Sequence, residues 1–332
     1  MSRSNRRSAL ALALILALGL GVAAPGRSAS DRTRGATEIV PRGTIAAIVE
    51  PSFVSANEAK LPDDAWVLAV AIEGDSRAYD LNLLNRHEVV NDVVGGMPIA
   101  AVWCPLAMAG IVYDREYDDG LLTFEATEPL AEAPLVMRDR ETGSTWSVMA
   151  GAAIEGKMAG EALHETAFGF KTTWGEWRVK HPDTRVLSVG GRTHEAENVY
   201  ADYLGSGKTF GDVATPDNRL PAKTPVFAFR WEGEPYAVSH DRLNGGMLWH
   251  PEGEGDGKPA ILIHRDSDSP TGVSTSAAIL PTEIKESDDP EGLALKLDDR
   301  LEAGTPGVSR LPGFDTWWYT WSAQNPGTIL ID

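Results

Sequence analysis

LPDDAWVLAVAIEGD, residues 61–75, returns without a gap as LPAKTPVFAFRWEGE, residues 220–234. The Leu-Pro pair coincides, as do Val67 with Val226, Ala69 with Ala228, and Glu73-Gly74 with Glu232-Gly233. Two further blocks follow in the same order. GGMPIAAVW (95–103) parallels DGKPAILIH (256–264), each a glycine turn, a proline and a short apolar run. TWGEWRVKHPDT (173–184) parallels WWYTWSAQNPGT (317–328), with Trp174, Trp177, Pro182 and Thr184 spaced as Trp318, Trp321, Pro326 and Thr328. Three blocks in one order predict two tandem, degenerate copies, residues 61–190 and 220–332, with a linker over 191–219.

Inside a copy the pattern is mostly strand. VLAVAI (67–72) is a continuous apolar run suited to a buried strand, EGDS turns the chain, and RAYDL begins the next strand. HEVVNDVV, PIAAVW, GIVYD, LLTFEA and PLVMRD follow at short spacings, punctuated by glycine turns. The tryptophan block differs: Trp174, Trp177 and Val179 fall near helical spacing, and His181-Pro182-Asp183 stops the helix. The expected class is therefore α+β, mainly antiparallel β. Each copy should form a sandwich-like or barrel-like unit closed by a short tryptophan-bearing helix whose indoles pin it to a sheet.

The chain opens with Arg3, Arg6 and Arg7, an apolar run from Ala9 to about Ala24, and then small residues. That pattern reads as a cleavable secretory signal over 1–29, possessing the adjacent arginines of a twin-arginine signal, and it predicts an exported protein, periplasmic or extracellular. Residues 30–60 then form an N-terminal extension. No later segment is apolar enough to span a membrane. The formal charge of −18 falls to about −22 once Arg3, Arg6, Arg7 and Arg27 are removed, a surface that repels nucleic acid and anionic lipid. Acidic runs at 252–257 and 286–292 read as solvated loops.

Several long stretches resemble the bacterial and archaeal family known as domain of unknown function 3179. They are LNRHEVVNDVVGGMPIAAVWCPL, GIVYDR, MRDRETGSTWSVMAGAAIEGKMAGEAL, TWGEWRVKHPDTRVLS and the closing LPGFDTWWYTWSAQNPGT. The resemblance covers nearly all of the mature chain and carries no established activity. It implies a recurring Cys-Pro-Leu segment, here Cys104-Pro105-Leu106, with a second cysteine or a selenocysteine three positions after the first in many members. Here that position is Ala107. A resolving thiol is thus missing from the pattern.

Cys104 is the sole cysteine of the 332 residues, so an internal disulfide is impossible. Four readings of it stand side by side: a small buried apolar residue at a strand end, a metal ligand, a catalytic or one-thiol redox group, and an intermolecular disulfide. As a ligand it would act with His87 and the thioether of Met108, a soft set that selects copper. As a redox group it would need an external thiol. Gly95-Gly96 should turn PIAAVW back antiparallel, bringing Cys104 towards His87, and Pro105 should hold Cys104 extended and partly exposed.

The remaining templates give nothing. There is no phosphate-cradling loop, dinucleotide fingerprint, HExxH or GxSxG. His240, His250 and His264 lack zinc spacing, His181 belongs to a helix stop, and copy two has Arg265 opposite Cys104. Two functions are expected: a thiol- or metal-centred redox or copper-related protein built on Cys104, which would deal with an external thiol or a metal donor, or a non-catalytic envelope binding or scaffold module in which Ala107 marks a lost activity.

Overall fold

The computed structural model describes residues 45–331, apart from 119, 128–134, 211–216, 244, 252–257, 266–274, 282–288 and 303–304. The signal segment, residues 30–44 of the N-terminal extension and the acidic run 252–257 lie outside the described residues. Among the described residues the chain is mostly β: five sheets of four or five strands, largely antiparallel, form a propeller-like ring with few helices, and Glu116–Tyr117 pairs with Gly120–Leu121 in a separate two-stranded sheet.

The first sheet orders Ser52–Ser55, Arg185–Ser188, Asp75–Asp80, Trp66–Ile72 and Gly169–Thr173. Its central hairpin follows from the sequence. The apolar run 67–70 is fully buried, and Glu73-Gly74 supplies two positive φ values, 48° and 77°, as a two-residue hairpin turn requires. The fourth sheet orders Ile329–Ile331, Glu234–Ser239, Pro225–Trp231 and Gly313–Trp317. Glu232-Gly233 turns it at φ 51° and 86°. Val67 pairs with Asp80 in the first sheet as Val226 pairs with Ser239 in the fourth. Both sheets also carry one parallel pair, Arg185 beside Arg77 and Ile329 beside Tyr236.

A helix precedes the last strand in each of these sheets. Trp174–Lys180 begins at a capping box, Thr173 with Glu176, and ends at His181, whose ring lies 3.8 Å from that of Trp177. Trp318–Gln324 ends at Asn325. Trp174 and Trp177 are buried as expected, but Val179 is 80% exposed: a seven-residue helix on a sheet buries only one stripe, and the indoles fill it.

The second sheet orders His164–Glu165, Ala109–Asp114, Met97–Cys104 and Val89–Val94, and the fifth orders Ser309–Leu311, Thr275–Leu280, Ala260–Arg265 and Met247–Trp249. Gly95-Gly96 turns the chain so that Val94 faces Met97, as the sequence predicts. The third sheet, Ala152–Glu155, Thr145–Ser147, Val136–Asp139 and Phe124–Ala126, lies in sequence between strands of the second. Adjacent sheets approach closely at Gly169, where a Cβ would come within 2.2 Å of Val112. Around Asp289 the acidic run 286–292 departs from the expected loop, because Asp289 caps a helix, Pro290–Ala294, with proline at its first turn.

Candidate functional site

A cavity of about 620 Å³ opens between the first and second sheets and the segment 194–204. Trp66, Asp64 and Pro62 form one part of its wall. Leu81, Asn82 and Asn85 enter from the one-turn helix Leu81–Leu84, and Trp103 and Met108 come from the second sheet and its loop. Lys171 comes from the strand Gly169–Thr173, and His194, Ala196, Asn198 and Leu204 close the far side. The volume suits a small organic molecule, and the mixture of indoles, amides and two basic groups suits a polar one.

Lys171 is the most costly group in that wall. It is 4% exposed, and its Nζ donates to the carbonyl of Met108 at 2.7 Å and lies 5.9 Å from the Trp103 ring. Burial pushes its ammonium below the usual lysine range, with Asp315 pulling the other way. Asp315 is itself bonded to His240 at 2.8 Å, both residues being buried.

Asp80 and His194 form the second polar centre. Asp80 caps the helix Leu81–Leu84, where its Oδ1 accepts the Leu83 N–H at 2.7 Å and, at 3.5 Å, that of Glu195. His194 Nδ1 donates to Asp80 Oδ2 at 2.8 Å. Burial raises the Asp80 carboxyl, against the pull of these donors. With Nδ1 committed, the imidazole is held in one tautomer at the cavity wall. Amides extend the order: Trp103 Nε1 donates to Asn85 Oδ1, Asn85 Nδ2 donates to Asn198 Oδ1, and Asn82 Nδ2 donates to Glu195 O.

Cys104 ends the strand Met97–Cys104, and the turn 105–108 closes through Met108 N–H to Pro105 O, with Met108 at φ 56°. Three successive carbonyls of this loop are clasped from elsewhere. Leu106 O accepts Tyr203 and Tyr319 hydroxyls, Ala107 O accepts Thr316 Oγ1 and Trp317 N–H, and Met108 O accepts Lys171. The strand end and loop position that the sequence predicts are present, but the partial exposure is not. Cys104 is 1% exposed and Ala107 fully buried, packed in one core with Val102, Leu106 and Trp318. The fourth sheet and residues 200–204 cover the loop, and strand patterns alone cannot show a covering layer that arrives from distant sequence.

His87 directs Nδ1 to Ala46 O at 2.8 Å, beside Glu88 in the left-handed region at φ 57°. Met108 lines the cavity. Among the described residues no cluster of three or more histidine, cysteine, aspartate or glutamate side chains has the arrangement to hold a metal ion. His194, Asp80 and Lys171 escaped sequence reading because 90 residues separate Lys171 from Asp80 in a chain with no local motif around either. The signal that was present is Asp80 directly before an apolar turn, the position of a helix cap.

A ring of small β-sheets with a ligand-sized cavity between two of them is the class that fold and site define. Within that class, the chain belongs to the family described as Protein of unknown function (DUF3179), whose model matches residues 42–328. No curated protein and no solved structure matches it. None of the described helices is long and apolar enough to cross a membrane.

Proposed function

We propose that this is an exported binding protein whose cavity takes a small polar molecule bearing a carboxylate, held by Lys171 and stacked on the indoles of Trp66 and Trp103. The observation that carries this reading is the buried Lys171 ammonium in the cavity wall, bonded to a backbone carbonyl. A desolvated cation gains most from an anion brought into contact with it. Tryptophan fluorescence and calorimetry test it with succinate, glucuronate and glucose. The two acids should bind and quench, glucose should not, and Lys171→Met should abolish the effect. Failure of every carboxylate to bind the wild-type protein overturns the reading.

A second reading places redox or copper chemistry at Cys104, with His87 and Met108 as partners and Ala107 at the position of a lost second thiol. The rigid seat of the 105–108 loop favours it, since a reactive group needs a fixed backbone. Cu(I) titration of the wild-type protein and of Cys104→Ser separates the two, because equal copper uptake by both proteins removes Cys104 as a ligand. The common strand order, parallel pair and register of the first and fourth sheets support reading the two halves as copies of one unit. Cell fractionation, with removal of residues 1–29, tests export.

A further inference from the structure

We propose that the cavity is catalytic as well as receptive, with His194 as a general base, oriented by Asp80, that hydrolyses a carboxylic ester whose acyl part carries a free carboxylate. The inference rests on the binding reading for its substrate class, since Lys171 takes that carboxylate.

The geometry gives His194 a defined task. Asp80 accepts from His194 Nδ1, Leu83 N–H and Glu195 N–H, so in each of these contacts it is the acceptor. The imidazole then carries its proton on Nδ1 and its lone pair on Nε2. His240 also meets a buried carboxylate, but through Nε2 and with only 3% of the residue exposed, and His181 lies against Trp177 at a helix end. His194 keeps 17% of its side chain accessible and borders a cavity large enough for substrate and water together. A carboxylate, an imidazole and a reaction space in that order form the orienting half of the arrangement that activates a hydroxyl or a water.

The step balances with water as the co-reactant. Nε2 takes a proton from water as the oxygen adds to the acyl carbon, giving a tetrahedral intermediate and an imidazolium that Asp80 steadies. Collapse breaks the bond to the leaving alkoxide, which receives the proton back from Nε2. The products are a dicarboxylic acid and an alcohol, and His194 returns to its starting state. Lys171 fixes the remote carboxylate throughout and takes no part in the proton transfer.

The probe is the mono-4-nitrophenyl ester of succinic acid, with 4-nitrophenyl acetate as the neutral control and succinate binding measured in parallel by calorimetry. Wild-type protein should accelerate hydrolysis over the buffer rate by a larger factor for the anionic ester than for the neutral one. His194→Gln should lower kcat by about 100-fold or more, the scale of a lost general base, while succinate still binds. Asp80→Asn keeps an oxygen that caps the helix as well as aspartate does, so the fold is preserved. It should lower kcat at least about 10-fold with KM within about 2-fold, a split that a purely structural role would not produce. Succinate binding without hydrolysis above the buffer rate, or hydrolysis unchanged in His194→Gln, overturns this inference and leaves the binding reading intact. Hydrolysis that needs His194 but is indifferent to Lys171→Met keeps the base and removes the carboxylate reading. Neither binding nor hydrolysis removes both.

Discussion

Tyr203 and Tyr319 stand 116 residues apart in the chain, yet their hydroxyls lie 2.7 Å from each other and both donate to the carbonyl of Leu106. The pair joins the short helix Ala201–Leu204 and the helix Trp318–Gln324 to the loop that follows Cys104. Burial pushes the Tyr319 hydroxyl up to about 12 and raises that of Tyr203 as well, so both remain donors across the ordinary pH range.

Tyr203→Phe removes one donor from Leu106 O and one member of the tyrosine pair. Thermal or urea denaturation should show a loss of about 1–2 kcal/mol, the scale of a buried hydrogen bond with its partner left behind. A loss below about 0.3 kcal/mol would mean that the loop is held without this contact.

Reaction of Cys104 with a maleimide should be slow in the native protein and should accelerate with added urea, because the thiol is 1% exposed and must wait for an opening. His87→Ala should leave that rate within about 2-fold at any pH from 6 to 9, since opening and not an imidazolium sets it. Rapid, urea-independent labelling would show that the loop opens without cost.

Gly95 and Gly96 make the same hairpin turn but should respond unequally to alanine. A Cβ on Gly95, at φ 56°, would lie 2.3 Å from the carbonyl oxygen of Ile72, whereas one on Gly96, at φ 85°, meets nothing within 4 Å. Gly96→Ala should cost about 1–2 kcal/mol for the left-handed backbone alone. Gly95→Ala should cost at least ~2 kcal/mol more, because strands of the first and second sheets must separate. Equal melting temperatures for the two variants would contradict this packing.

Glu165 keeps Oε1 shielded from solvent without a hydrogen-bond partner, and burial pushes its carboxyl up to about 7 from the usual 4.5, with Arg230 pulling it down. The folded state therefore favours the protonated acid. Its stabilising contribution is complete below about pH 4.5 and is lost as pH rises through 7. Glu165→Gln, which stays neutral, should exceed the wild-type protein by on the order of 2–3 kcal/mol at pH 8 and match it near pH 4.5. Parallel melting curves for the two proteins from pH 4.5 to 8 would show that Glu165 finds a counter-charge on ionising.

Much of the β-structure was legible because its causes are local. The run 67–72 is apolar without interruption and becomes a buried strand, Glu73-Gly74 and Gly95-Gly96 supply the positive φ values of two-residue turns, and Thr173 with Glu176 starts a helix that His181 ends. The acidic run 286–292 misled because Asp289 and Pro290, read as loop residues, are equally a cap and a first helical turn.

The site was legible only in part. Cys104 stands at the strand end where Pro105 suggests it, but its burial depends on Tyr203 and Tyr319, and the segment read as a linker, 191–219, carries His194, Asn198 and Tyr203.

By itself, the sequence determined the strands, their turns, the tryptophan helices and the lone thiol, because backbone preference and the alternation of apolar residues act over a few neighbouring positions. Only the tertiary structure decided that Lys171 lies desolvated in a cavity wall, that Asp80 meets His194 across 114 residues, and that the loop after Cys104 is covered. Desolvation and hydrogen-bond geometry depend on distances between strands that meet only when the ring closes, and no window of sequence contains them.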